Sequence, residues 1–353
     1  MTLTDFRTLG RSGLVVSPLA LGTMTFGTNR WGSSADESQA VFNAYVEAGG
    51  NFIDTADVYA GGKSEELLGG YVADRKLRDQ LVLATKFGFG AQAGNPNAGG
   101  NGRKQIYRAL EGSLRRLRTD YVDMYWLHVW DTVTPADEVL QTLGDLVRAG
   151  KIRYFGLSDN PAWYATQMAT LAQSHGVPGP IAMQLEYSLV ERTIEREHVP
   201  AARALGMGLV PWSPLAGGFL SGKYQRADQG TQPASGEGRL SGANPFGNTK
   251  FTPRNWAILD ALREVAGQLG RPPAQVALAW ALAQPGISAP IIGASRAAQV
   301  ADNIATLTIA FSPGQRQALA KASAPEPAFP YPIFEPELNQ AAVFGGTLVQ
   351  GWR

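Results

Sequence analysis

A chain of 353 residues, 44% hydrophobic and 17% charged, can bury a large core, which excludes an intrinsically disordered protein. A formal net charge of +1 leaves no electrostatic footprint for nucleic acid or an acidic membrane surface. The absence of cysteine excludes disulfides, thiolate metal sites and a cysteine nucleophile, and His128, His175 and His198 are too far apart for metal-ligand spacing.

The opening segment MTLTDFRTLGRSG lacks the basic-then-apolar pattern of a signal peptide. No apolar run approaches the ~20 residues of a membrane span. A cytoplasmic protein is the expectation. Residues 6–16 (FRTLGRSGLVV) read as a hairpin turned at Arg11–Gly13. PLALG (18–22) is a first short apolar run, followed by a helix over 36–48 with Val41, Tyr45 and Val46 on one face. NFID (51–54), a helix over 64–73 and LVLATK (81–86) come next. Ile106, Leu110, Leu114 and Leu117 give 104–118 amphipathic helical spacing ahead of the strand VDMYWLH (122–128). Pro135 suits the first turn of a helix over 135–149, which stops at Gly150. KIRYFGLS (151–158) precedes a helix over 161–175, and IAMQLEY (181–187) precedes one over 193–205. GLVPW (208–212) is the seventh apolar run. Helices over 254–269 and 272–283, the run SAPIIGAS (288–295) and a helix over 296–306 complete the series.

Strands alternating with helices imply a parallel sheet, and eight such units imply closure into a barrel. The rival is an open doubly wound sheet, but no Gly-x-Gly-x-x-Gly stands between the first run and its helix. The expected fold is α/β, a single (β/α)8 barrel domain over 1–353 with an N-terminal hairpin and a C-terminal loop over the active face. Three segments break the pattern: 88–103, rich in Gly and Asn, the polar stretch 225–253, and the Pro- and aromatic-rich tail 323–353, which ends near Trp352. Each reads either as a functional loop of the active face or as a passive connection or packed tail.

The apolar runs end on chemistry. NFID stops at Asp54, LVLATK at Lys86 and VDMYWLH at His128. In a parallel barrel these strand ends share one face, so an acid, an amine and an imidazole can converge. Polar residues also simply mark strand ends, which would account for any one of them alone. Tyr59, five residues past Asp54, can fold back over the same mouth. By itself it would be a packing residue; beside an ammonium its phenol becomes a tunable acid. Asp54 can hold Lys86 protonated, and His128 can aim a donor at a carbonyl.

The segments GTMTFG, NFIDTADVYAGGKSEELLG, LVLATKFG, YVDMYWLHVWD, RYFGLSD, QLEYSL, VPWSPLAGGFLSGKY and PIIGASRAAQVADN resemble, in order and spacing, the aldo-keto reductase superfamily. The resemblance runs from about Phe6 to about Leu319 and joins many separated motifs. It implies a barrel that binds NADPH without a Rossmann domain, with Asp54, Tyr59, Lys86 and His128 as catalytic tetrad. Implied cofactor contacts are Gly22, Thr23, Met24 and Asp54 near the nicotinamide ribose, and Ser158, Asp159 and Gln184 on the carboxamide. Trp212 would stack on the nicotinamide. Ser213, Pro214, Leu215, Gly217 and Lys223 would surround the pyrophosphate, and Gly293, Ser295, Arg296, Gln299 and Asn303 the adenosine end. The implied reaction is hydride transfer to a carbonyl carbon, with Tyr59 protonating the oxygen, His128 orienting it and Lys86 lowering the phenol pKa. Two positions depart from the common pattern. Many members carry asparagine where this chain has Asp159, and often glutamate where it has Asp302.

Candidate substrate walls are Phe26, Trp31, Tyr59, Phe87, His128 and Trp130, with Phe329, Tyr331 and Phe334 from the tail; Trp31 and Phe87 also read as ordinary core. Several aromatics fit an aromatic or sugar-like carbonyl as the small-molecule substrate. One alternative is an NADPH-binding regulatory subunit with little turnover, against which the short stretch ahead of residue 6 counts. The other is a Schiff-base lyase with Lys86 as nucleophile, against which its pairing with Asp54 counts.

Overall fold

Short apolar runs that alternate with amphipathic helices build a parallel sheet whose outer face the helices cover. The computed structural model describes residues 1–28, 32–226, 233–235, 239–240 and 250–350. β1 (Arg7–Thr8) and β2 (Val15–Val16) form an antiparallel hairpin. The chain then lays down β3 (Ala20–Gly22), α1 (Ala35–Glu47), β4 (Phe52–Asp54), α2 (Lys63–Asp74), β5 (Val82–Phe87), α3 (Arg103–Leu117), β6 (Val122–Leu127), α4 (Ala136–Arg148), β7 (Ile152–Ser158) and α5 (Ala162–His175). Next come β8 (Ala182–Gln184), α6 (His198–Leu205), β9 (Gly208–Leu209), the antiparallel pair β10 (Gln225–Arg226) and β11 (Pro233–Ser235), α7 (Pro253–Leu269), α8 (Pro273–Leu282), β12 (Ile291–Gly293) and α9 (Ala297–Ile304). α10 (Pro313–Ala322) and α11 (Pro336–Phe344) follow the last barrel helix.

Eight parallel strands pair in the order β12-β3-β4-β5-β6-β7-β8-β9. At the last seam Leu209 bridges Ile287 in parallel, and the Ile291 N–H donates to the Pro211 carbonyl at 2.8 Å. The sheet closes into the expected (β/α)8 barrel. Side chains alternate across it with a period of two. Phe52, Val82, Ala84, Met124, Trp126 and Ala182 fill the interior, while Ile53, Leu83, Tyr125, Leu127 and Met183 pack outward under the helices. Gly156 is required by this filling, because a Cβ there would stand within 2.6 Å of Trp126, Met124 and the Ala182 carbonyl. The hairpin plugs the end of the barrel where the strands begin. Leu9, Leu14 and Val16 join the interior cluster, and the Arg11 N–H donates to the Gly206 carbonyl at 2.7 Å.

Most helix expectations match within a residue or two, helped by local caps such as the Ser34–Glu37 capping box of α1. Four strand expectations, VDMYWLH, IAMQLEY, GLVPW and SAPIIGAS, run past the carboxyl ends of their strands. IAMQLEY is continuous strand only over β8, followed by an isolated parallel bridge between Glu186 and Trp212. The helix expected over 193–205 splits into a turn at Thr193–Glu195 and α6. No helix was expected beyond residue 306, but α10 precedes the tail and the tail itself contains α11. The tail docks through Arg196 to the Glu326 carbonyl and through the Tyr331 hydroxyl to Glu197, between β8 and α6. Among the described residues no helix is long and apolar enough to cross a membrane.

Candidate active site

The two-residue period decides what reaches the mouth of the barrel. Counting from inward Phe52 and Val82 puts Asp54 and Lys86 on the inside. Gly22 aligns with Asp54, Lys86 with Trp126, and Ser158 with Gln184 across adjacent strands. The loops are tied in the same sequence. The His128 N–H donates to the Phe87 carbonyl at 2.8 Å, the Asp159 N–H to the Gln184 carbonyl at 3.2 Å, and the Trp212 N–H to the Leu185 carbonyl at 3.0 Å.

The four residues of the expected tetrad meet there. The buried Lys86 ammonium is paired with Asp54, donates to the Thr55 carbonyl at 2.7 Å, and lies 3.3 Å from the Tyr59 hydroxyl. The Tyr59 and His128 rings stand edge to face at 5.9 Å. Gln184 donates to the other Asp54 oxygen at 2.9 Å, so it is bound to the tetrad. Burial works against the Lys86 charge, but Asp54 and Tyr59 outweigh it and hold the amine protonated. Burial pushes the Asp54 carboxyl up, with Lys86 opposing. Burial, reinforced by Lys86, holds His128 well below the usual imidazole range, so the ring is neutral at pH 7. For Tyr59 the expectation of a lowered pKa needs correction. Lys86 does pull the phenol down, but burial is the larger effect and the net direction is up.

The residues expected around the cofactor divide into three groups. Ser158 is buried and its hydroxyl has no partner among the described residues. Asp159 accepts from the Trp212 indole N–H at 2.9 Å. In the segment after β9, Ser213, Ala216, Gly217 and Gly218 all have left-handed backbones, with φ of 51°, 50°, 66° and 92°. A residue with negative φ followed by a left-handed one, as at Leu215–Ala216, can aim successive N–H groups at an anion, though the Ala216 and Gly218 N–H groups here already donate to the Ser213 and Leu215 carbonyls. Pro214 is buried, Leu215 packs partly on the core, and Leu240 covers Gly217. Lys223 reaches over Gly218, is shifted down by burial, and has no carboxylate at ion-pair distance among the described residues. At the start of α9, Gln299 accepts from the N–H groups of Ser295 and Arg296, while Arg296 is exposed. Gly293 is open, with nothing near the position a Cβ would take, and Asn303 donates to its carbonyl at 3.3 Å. The Thr23 side chain is turned inward to Ser64 and the Asp54 carbonyl, which leaves only its backbone to border a ligand. Met24 is half-buried at the rim.

Several substrate-wall expectations are corrected. Phe87 follows inward Lys86, so it must point outward, and it packs fully buried on Tyr125 at 4.8 Å. Phe26 is likewise buried in the outer core, edge-on to Tyr71. Phe329 and Phe334 are 85% and 61% exposed, while Tyr331 is held by Glu197 and meets Phe334 edge-on. Trp31 and Trp352 lie outside the described residues. Trp130 does stand on the loop after β6, in an aromatic cluster with Trp163 and Tyr164.

Three residues at the mouth were not anticipated. Phe89 packs edge-on to His128 at 4.6 Å, from a loop whose Gly-rich composition hid it. Glu186 pairs with Lys250 at 2.6 Å. Arg239, from the long polar stretch, approaches the Met24 sulfur at 3.9 Å and is in electrostatic reach of Tyr59 and Glu186. Nothing periodic in 225–253 could have singled it out.

The comparisons with known proteins give the family. Residues 18–324 match the Aldo/keto reductase family. An uncharacterized oxidoreductase of Bacillus subtilis is 37% identical over 86% of this chain and 91% of its own length. A probable voltage-gated potassium channel subunit beta of Oryza sativa is 36% identical over 86% of this chain and 92% of its own. A norsolorinic acid reductase of Emericella nidulans is 36% identical over 85% and 76% respectively. The chain belongs to the aldo/keto reductase family.

Proposed function

We propose that the protein reduces an aldehyde or ketone with NADPH, using Tyr59 as the proton donor. The observation that carries this reading is the Lys86 ammonium, paired with Asp54 and 3.3 Å from the Tyr59 oxygen at a mouth shared with His128. The Ser158 hydroxyl and Lys223, which have no hydrogen-bond and no ion-pair partner respectively among the described residues, fit a dinucleotide with a pyrophosphate, as do the left-handed Ser213 and Ala216–Gly218. When bound, NADPH supplies the hydride. Neutral His128 donates to the carbonyl oxygen and fixes its orientation. Tyr59 gives that oxygen a proton as negative charge builds on it, and Lys86 stabilises the phenolate left behind. Asp54 keeps Lys86 charged through the cycle. Ser158, Asp159 and Gln184 would hold the carboxamide and Trp212 the nicotinamide face. Arg296 would take the 2′-phosphate, since its planar fork and the helix start suit that anion. Half-buried Trp130 and exposed Phe89 favour a carbonyl carried on an aromatic or other flat ring.

A second reading draws on the rice relative: a cofactor-binding subunit with little turnover. The lyase reading is weakened by the Lys86–Asp54 pair, because a protonated amine is no nucleophile. Incubation with NADPH and a panel of aldehydes, following the absorbance of the reduced cofactor, separates all three. Turnover is the expected result. Binding without turnover would favour the subunit, and borohydride trapping on Lys86 without NADPH would favour the lyase.

A further inference from the structure

Asp159 is held by three different barrel segments. Its backbone is left-handed, with φ of 38°, in a residue that has a Cβ. Its N–H donates to the Gln184 carbonyl at 3.2 Å, and its own carbonyl accepts from Trp130 at 3.3 Å. Its Oδ1 accepts the Trp212 indole N–H at 2.9 Å. An asparagine oxygen could accept that N–H equally well. What an aspartate adds at this place is a charge.

That charge is not cancelled locally. Lys86 faces it from β5 but is already paired with Asp54. Glu186 faces it from the loop after β8 and is paired with Lys250. His198, from α6, is engaged with the carbonyl of the next residue, Asn160. Arg239 is in electrostatic reach of Glu186. No cation forms an ion pair with Asp159 among the described residues. Burial, with a smaller contribution from Glu186, pushes its carboxyl up to about 6.

We propose that Asp159 is an electrostatic positioning residue: it fixes the plane of the Trp212 indole, and its carboxylate favours the oxidised, cationic nicotinamide over the neutral reduced one. The inference rests on the reading that a nicotinamide cofactor lies against Trp212. A fixed carboxylate discriminates between two ligands of the same shape only through their difference in charge. The oxidised ring carries one positive charge that the reduced ring lacks, so the preference follows from sign alone. The same carboxylate favours substrate reduction over alcohol oxidation in the bound state. Because Asp159 gains its proton near pH 6, the preference is present above that pH and fades below it.

The test is equilibrium binding of NADP⁺ and of NADPH, by quenching of tryptophan fluorescence, to wild type and Asp159→Asn at about pH 5 and about pH 8. Taking the ratio of the two dissociation constants cancels titration of the 2′-phosphate, which both cofactors share. In wild type the preference for NADP⁺ should rise roughly tenfold between the two pH values, the size expected of one partly screened charge a few ångströms away. In Asp159→Asn, which keeps the acceptor for Trp212, the ratio should be flat and stay at the low-pH value. A flat ratio in wild type, which needs no variant, overturns the proposal. So does the same pH dependence in both proteins. If neither cofactor binds wild type, the nicotinamide reading falls, and the inference falls with it.

Discussion

The two ends of the barrel are built from the same strands but under different constraints. At the end where the strands begin, the hairpin residues Leu9, Leu14 and Val16 complete an apolar plug. At the other end, buried polar atoms without partners collect: the Ser158 hydroxyl, His128 Nδ1 and the Asn160 amide. Left-handed backbone at residues with side chains occurs at both ends: at Lys76 and Arg118, just after α2 and α3, and at Ala60, Thr132, Asp159, Ser213 and Ala216 on the far side. Such backbone costs of order 1–3 kcal/mol per residue and persists only where the surroundings enforce it. The first end closes on apolar side chains; the other gathers buried polar groups that have no partner among the described residues.

Lys86→Met should break this contrast most severely, because Lys86 serves both stability and catalysis. Loss of the charge beside Tyr59 should lower kcat by roughly 10²–10⁴-fold and alter the pH–rate profile. Asp54, left buried and unpaired, should cost about 3–5 kcal/mol of stability. Adding Asp54→Asn should recover much of the melting temperature and none of the rate. Recovery of both would show that Lys86 acts only structurally.

Leu9→Ala should show the opposite profile. Truncating a fully buried plug residue typically costs about 2–5 kcal/mol. Chemical denaturation should reveal that loss, while kcat measured well below the melting temperature stays at wild type. A large fall in kcat would mean the two ends are coupled.

Arg296→Ala should sharpen the picture within the ligand-facing end, since the Arg296 side chain is exposed. A charge-assisted hydrogen bond is worth roughly 1.5–3 kcal/mol, so NADPH should bind roughly 10–150-fold more weakly. NADH binding and the rate at saturating cofactor should change little. Equal weakening of both cofactors would remove Arg296 as the 2′-phosphate ligand.

The barrel was readable because its signal is repetitive: eight apolar runs, each followed by an amphipathic helix. The tetrad was readable because Asp54, Lys86 and His128 end consecutive runs. The errors have physical causes. Phe87 was left open between pocket wall and core, although the period of two, counted from Lys86, already turns it outward. α10 went unread although Ser312 and Gln315 form a capping box at its start. Arg239 was out of reach, because a residue delivered by an irregular loop obeys no period. The upward shift of Tyr59 was equally hidden, since burial cannot be read from the spacing of charges.

The central claim, that the ligand-facing end works through the Tyr59 phenol, is tested most directly by Tyr59→Phe. Phenylalanine keeps the ring beside His128 and removes only the hydroxyl that faces Lys86. NADPH dissociation constants and aldehyde-dependent turnover should be measured on the same preparations. The account predicts unchanged NADPH binding and a fall in kcat/KM of roughly 10²–10⁴-fold. Turnover at the wild-type rate with cofactor binding intact would contradict it.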